Sequence, residues 1–179
     1  MSNRPHLDSL RDTPSPSTLK RVLVAAGLIR APKEHPYAGK ILMSRRLADA
    51  HLPNSWEFPG GKVEPGEDPK DALSRELMEE LNIEVSDLRI YAVGHHTYPQ
   101  KEIILLVYEC WHSGGTPQAL HVSSFEWLSI EEVCALELPP ADEEVIDRLR
   151  AERPTIWPHP SPQGPPRSII FETRGAEAL

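Results

Sequence analysis

Residues 60–83 read GGKVEPGEDPKDALSRELMEELNI, and this stretch decides the fold. Its second half predicts a helix over Pro69–Leu81. Asp68 stands where an N-cap would accept a first-turn amide. Pro69 takes the first helical position, where its missing N–H costs nothing, and Asp71 adds a favourable charge to the first turn. Leu73, Leu77 and Leu81 recur at i, i+4 and i+8, a ridge that can pack on a sheet. Glu76, Glu79 and Glu80 fall within an arc of roughly 100° beside that ridge. They should therefore stand at the edge of the sheet, on the lip of a cleft. Pairs at these spacings repel by about 0.2–0.5 kcal/mol each. A hard divalent cation such as Mg²⁺ would compensate, because it prefers carboxylate oxygens; the plainer alternative is an acidic solvated face. Ahead of the helix, Gly60–Glu67 forms a loop in which glycines let the backbone turn sharply and reach a ligand. Lys62 there can meet phosphate.

Outward from this segment the periodicity alternates between strand and helix. Arg21–Ala31 is apolar and β-branched enough for a buried strand, and Lys40–Arg46 reads as its partner across a Pro/Gly-bearing loop. Arg89–Thr97 and Glu102–Trp111 read as two more, the second apolar enough to be central. Phe125–Leu128 is a short strand, after which Ser129 caps a short helix carrying Glu131 and Glu132 in its first turn. Ala141–Glu152 reads as a last helix. The fold class expected is α/β (α+β), a mixed sheet layered with helices over residues 19–152. Residues 1–18 read as a mobile tail and 153–179 as a Pro-rich extension. In the extension, residues 168–173 (SIIFET) can make one short strand. Its apolar Ile169, Ile170 and Phe171 suggest docking on the domain or on a partner.

The bulk numbers bound the function. With 179 residues and 39% hydrophobic content the chain can bury one core, hardly two. A formal net charge of −8 disfavours gripping a long nucleic acid, which needs a basic stripe. Cys110 and Cys134 have no zinc-site spacing and read as reduced, semi-buried thiols. The N-terminal MSNRPHLDSLRDTPSPST has no apolar run, and no membrane span is legible, so the expected compartment is the cytoplasm.

Taken together, Gly61, Glu67, Arg75, Glu76, Leu77, Glu79, Glu80 and Ile83 occupy eight of nine specified positions of the Nudix box, G-x5-E-x7-R-E-U-x-E-E-x-G-U. The departure is Asn82 where the family has Gly, a mild change because Asn tolerates the left-handed conformation that ends helices. The chain resembles the Nudix hydrolases, and among them the MutT-like nucleoside triphosphate pyrophosphohydrolases, over about residues 20–151. The lead-in RRLADAH (45–51) and WEFPGGK (56–62) and the ending FEWL (125–128) with LPPAD (138–142) extend the likeness.

The resemblance implies a mixed β-sheet sandwiched between helices. It implies that Glu76, Glu79 and Glu80 bind Mg²⁺, with Mn²⁺ a possible substitute, helped by the Gly60 carbonyl. Arg75 would orient the cluster, with Glu67 in support. Water would attack the β-phosphorus of a nucleoside triphosphate such as 8-oxo-dGTP, releasing monophosphate and pyrophosphate. Arg46 and Phe58 would lie near the nucleotide, and Asp142 would face the base in place of the family's asparagine. An ionised Asp142 only accepts hydrogen bonds, which suits the two adjacent donors of guanine; the alternative is a plain helix cap. His121 falls where the family often has a loop glutamate, either as a base or as a solvated histidine. Other Nudix substrates stay open: modified CTP or dCTP, nucleoside diphosphate sugars and RNA 5′-triphosphate ends. So does a non-catalytic nucleotide-binding module, although that would be expected to break the box glutamates. The partner expected is the nucleoside triphosphate alone, with no membrane, in a monomer or homodimer.

Overall fold

Strand β1 (Lys20–Arg30) organises the domain because both of its faces are apolar. Ala26 and Leu28 enter one core, while Ala25 and Ile29 enter the other. That two-sided burial is what a central strand needs. One edge of β1 pairs in parallel with β6 (Lys101–Gly114) from Lys20↔Lys101 to Arg30↔Trp111. Its other edge is shared: β4 (Gly60–Lys62) pairs at Val24–Ala26, and β2 (Ile41–Arg45) at Ile29–Arg30. Strand β2 then pairs with β3 (Trp56–Glu57) and with β7 (Ser124–Leu128), and β5 (Glu84–Tyr98) lies antiparallel outside β6. The computed structural model describes residues 19–50 and 52–152. The tails read as 1–18 and 153–179, including the strand at 168–173, lie outside the described residues.

Helices cover both faces of the sheet. On one side α1 (Pro69–Leu81) buries Leu73, Leu77 and Leu81 against Ala25, Ile29, Cys110 and Trp127. On the other, α2 (Ile130–Ala135) and α3 (Glu143–Ala151) bury Val133, Val145, Ile146 and Leu149 against Leu28, Met43 and Val107. The caps are those the sequence implies. Asp68 accepts from the Lys70 amide at 2.8 Å. Asn82 ends α1 in the left-handed region (φ 56°) with its own amide bonded to Met78 O at 3.1 Å. Ser129 and Glu132 form a reciprocal capping box on α2. Neither cysteine is bridged. No helix among the described residues is long and apolar enough to cross a membrane.

Four elements differ from the sequence reading. Segment 60–62, expected as loop, is strand β4, and Trp56–Glu57 is strand β3; both are held by pairing with β1 and β2, which local composition cannot show. Strand β5 begins at Glu84, five residues earlier than expected. Register shifts at Ser86/Arg89 and Ile90/Ala92, with Asp87 at φ 56°, break the alternation a strand is read by. The last helix starts at Glu143, because Pro140–Asp142 forms a tight 3₁₀ turn ahead of it. Asp142 occupies the N-cap position without a capping hydrogen bond from its side chain, so the helix-cap alternative fails.

Candidate active site

A cleft of about 490 Å³ opens where β4, the end of α1 and the 3₁₀ turn meet the apolar face formed by Val24, Ala26, Ile103 and Leu105. Of the residues singled out from sequence, Gly60, Lys62, Glu76, Glu80, Arg46, Phe58, His121 and Asp142 line it. Glu67, Arg75 and Glu79 stand behind the lip. The β1–β4 register explains the placement: Gly60 sits opposite Ala26 and Gly61 opposite Ala25, so β4 delivers its glycines to the base of α1. A side chain on Gly61 would put its Cβ 2.3 Å from the Glu76 carboxyl carbon, so the Glu76 head occupies the space that Gly61 leaves empty.

Arg75 is the hub of the acidic cluster. Its Nε and Nη2 grip both Glu67 oxygens at 2.9 and 3.0 Å, Nη2 also donates to the Lys62 carbonyl at 3.1 Å, and Nη1 reaches Glu76 Oε1 at 3.0 Å. Planar bidentate geometry of this kind is specific to Arg. The Arg75 guanidinium and the Glu64 amide hold the Glu67 carboxyl down to about 2, an ionised anchor. Glu79 is 52% exposed and lies 3.5 Å from Arg75 Nη1, on the outer side of the hub.

Glu80 is the anomalous member. Its Oε2 is buried without a hydrogen-bond partner. Burial, then the charges of Glu57 and Glu76, push its carboxyl up to about 8. At a half-buried carboxyl with an orphan oxygen beside like charges, a cation would favour the ionised form. Among the described residues no three acidic or imidazole side chains form a closed cage. The donor set still fits Mg²⁺, which keeps several of its own waters and takes one or two carboxylates plus substrate phosphates. Glu76 and Glu80 are the residues that would hold it, with Glu57 nearby. If Arg75 positions these carboxylates, Arg75→Lys should raise the Mg²⁺ concentration for half-maximal activity about 10–100-fold, the usual effect of losing an orienting partner. A metal titration of initial rates checks this, and an unchanged midpoint would remove Arg75 from that role.

Around the carboxylates the cleft is cationic and aromatic. Arg46 is ion-paired to Glu57, yet its buried Nε has no partner. Burial raises the Glu57 carboxyl and Arg46 opposes that rise. Lys62 and Lys101 face the same space; burial first, then the charges of Lys62 and Arg46, lower the Lys101 ammonium. Asp142, 5% exposed, is pushed up to about 7 by burial and by Glu57, against Arg46. Tyr98 lines the wall beside it. His121 reaches the cleft because its amide, with that of Leu120, caps the Glu80 carbonyl at the end of α1. Glu57, Tyr98 and Lys101 belong to this site without having been picked out from the sequence. Glu57 could have been suspected from its place three residues before Gly60; Tyr98 and Lys101 flank a turn with no motif.

Carboxyl groups able to hold a cation, facing Arg and Lys side chains across a cleft, suit the handling of a phosphate-bearing group. The NUDIX domain profile matches residues 20–149, and the chain belongs to the Nudix hydrolase family. It is 35% identical over 132 residues to the 8-oxo-dGTP diphosphatase of Escherichia coli K12, covering 74% of this chain and 98% of that one. It is 38% identical over 142 residues to the CTP pyrophosphohydrolase of the same organism, covering 76% and 98%. The solution structure of MutT from methicillin-resistant Staphylococcus aureus 252 superposes with TM-score 0.58 at 34% identity, over 75% of this chain and 99% of that one. The crystal structure of MutT from Methanosarcina mazei Go1, at 23% identity, shares the fold with TM-score 0.63 over 75% and 96%. The protein is a Nudix pyrophosphohydrolase.

Proposed function

We propose that this enzyme hydrolyses guanine-type nucleoside triphosphates, 8-oxo-dGTP among them, to monophosphate and pyrophosphate in a Mg²⁺-dependent reaction. The observation that carries the base assignment is the buried Asp142 carboxyl in the cleft wall, without a helix-capping bond. When bound, the metal supplies charge neutralisation on phosphate and a more acidic water. The chain's own residues do the rest. Lys62, Lys101 and Arg46 offer positive charge to the phosphates. Phe58 and Tyr98 give the base apolar walls. Glu80, its carboxyl pushed up to about 8 by burial and by the charges of Glu57 and Glu76, would be held as a carboxylate by a bound cation.

Asp142 chooses the base through its protonation state. The carboxylate accepts two hydrogen bonds and matches the N1–H and amino donors of guanine. The protonated acid donates one and accepts one, which suits the N3 acceptor and amino donor of cytosine. With a carboxyl pushed up to about 7, both forms are populated near neutrality. This favours a second reading, a cytosine triphosphate pyrophosphohydrolase, in the acid range; a CTP pyrophosphohydrolase is among the relatives.

The test is kcat/KM for 8-oxo-dGTP, dGTP and dCTP at pH 6 and 8.5. The wild type should prefer the guanine substrates by roughly 10-fold or more at pH 8.5, a modest value for a site that pairs buried polar groups. The preference should narrow at pH 6, and Asp142→Ala should erase its pH dependence. Unchanged ratios among the three substrates in Asp142→Ala would show that Asp142 does not read the base. A preference for dCTP at both pH values would replace the first reading with the second.

A further inference from the structure

Strand β5 carries a bare position beside the cleft. From Ala92↔Val107 to Tyr98↔Lys101 the β5–β6 register is unbroken, so Gly94, His96 and Tyr98 share one face of the sheet with Leu105, Ile103 and Lys101. Those three β6 residues line the cleft. His96 and Tyr98 fill their part of the face with rings, whose centroids are 4.5 Å apart. Gly94 leaves its part open, and the 3₁₀ turn Pro140–Asp142 lies there instead. A Cβ on Gly94 would fall 1.9 Å from the Ala141 carbonyl oxygen and 3.1 Å from its carbon. Ala141 and Asp142 are both buried and both line the cleft. The turn therefore rests on the sheet backbone against backbone, an approach that a residue without a side chain allows.

The turn is stiff, so what seats Ala141 also places Asp142. Pro139 and Pro140 fix two consecutive φ angles. The Asp142 amide donates to the Pro139 carbonyl at 2.9 Å and closes the turn. The Asp142 side chain makes no capping bond that could hold it from the helix side. Helix α3 is pinned only further along, where Val145, Ile146 and Leu149 enter the core. With the Cβ of a larger residue 1.9 Å from that oxygen, restoring an ordinary C···O contact of about 3.3 Å needs the turn to rise by roughly 1.4 Å. A hydrogen bond between base and carboxyl does not survive such a change, since its donor–acceptor range is only about 0.5 Å wide.

We propose that Gly94 is a positioning residue for base choice: by carrying no side chain it seats the Pro140–Asp142 turn at the depth from which Asp142 reaches the base. This rests on the reading of Asp142 as the base reader and adds the residue that sets its place. Gly94 acts through the turn alone, and Glu76 and Glu80 come from α1, so the chemistry should persist when the seat is lost.

The test compares Gly94→Ala and Asp142→Ala in the full-length chain on 8-oxo-dGTP, dGTP and dCTP at pH 8.5 with Mg²⁺, with melting curves on both. In Gly94→Ala the guanine preference should shrink from roughly 10-fold to within about 2-fold of parity. KM for 8-oxo-dGTP should rise about 10-fold while kcat stays within about 3-fold of wild type. A crystal structure of the variant should show the turn lifted from β5 by about 1 Å or more, with β4 and α1 in place. A residue that only supports the fold would lower Tm and leave the substrate ratios and the balance of KM and kcat alone. Pro139→Gly combined with Pro140→Gly loosens the turn and adds no atom to β5. It should lose the same preference, and it decides the matter if Gly94→Ala does not fold. Wild-type ratios in folded Gly94→Ala, or in the loosened turn, overturn the proposal while Asp142→Ala loses them. If Asp142→Ala keeps them too, the base-reading assignment has failed and this proposal falls with it.

Discussion

Glu80→Gln is expected to lower turnover by about 10²-fold or more, the scale of losing one strong electrostatic contributor, while making the metal-free protein more stable at pH 8. The two effects have one cause. Glu80 has an unpartnered buried oxygen and faces Glu57 and Glu76. Its folded carboxyl, at about 8, lies above its ordinary value of 4.5. The native state therefore holds a proton that the unfolded state releases between these values. The stability tied to that proton is fully present below pH 4.5 and is lost as pH rises through about 8. Metal-free wild type should thus melt at progressively lower temperature from pH 5 to 8 because of this group. Saturating Mg²⁺ should flatten the trend by binding only the folded, ionised site, and Glu80→Gln should lack this contribution with or without metal. Thermal melts at pH 5, 6.5 and 8, with EDTA and with Mg²⁺, check this alongside kcat. Near wild-type turnover of Glu80→Gln in saturating Mg²⁺ would remove Glu80 from the reaction. A pH trend in wild type indifferent to Mg²⁺ would remove the metal from Glu80.

The neighbouring glycines should separate folding from catalysis. Gly60→Ala places a Cβ 2.2 Å from the Ala25 carbonyl oxygen at φ +147°, where neither backbone can yield cheaply. Combined overpacking and backbone strain should cost about 2–5 kcal/mol, seen as a large fall in Tm. Gly61→Ala puts its Cβ among the Glu76 carboxyl atoms, at 2.3–2.6 Å. The end of a long side chain can swing away, so stability should change by less than about 1 kcal/mol. The displaced carboxylate should cost about 10² in kcat, as small misplacements at a reacting centre do. Melting curves and initial rates on the two variants decide the matter. A Gly61→Ala enzyme with wild-type kcat would show that the Glu76 position is not critical.

The local consequences of sequence were legible without coordinates. The caps at Asp68, Asn82 and Ser129, the leucine ridge of α1 and the two-sided burial of β1 follow from interactions within a few residues or from a simple period, which composition carries. The box residues were legible too, because one continuous stretch, from β4 through α1 to Ile83, contains them all. Tertiary structure decided the rest. Strands β3 and β4 exist only because β1 and β2 offer edges to pair with. The bulges that begin β5 at Glu84 follow from register with β6. Glu57, Tyr98 and Lys101 enter the cleft from separate elements, brought together by the sheet rather than by spacing. Helical periodicity put Glu76, Glu79 and Glu80 on one arc, but the Arg75 hub and the β4 edge set Glu79 apart, outward, and left Glu80 buried with an orphan oxygen. Asp142 could be read from sequence as a helix cap or a base reader. Burial beside Glu57 and Arg46 shifted its ionisation, because desolvation depends on what surrounds a group in space and not on its neighbours in the chain.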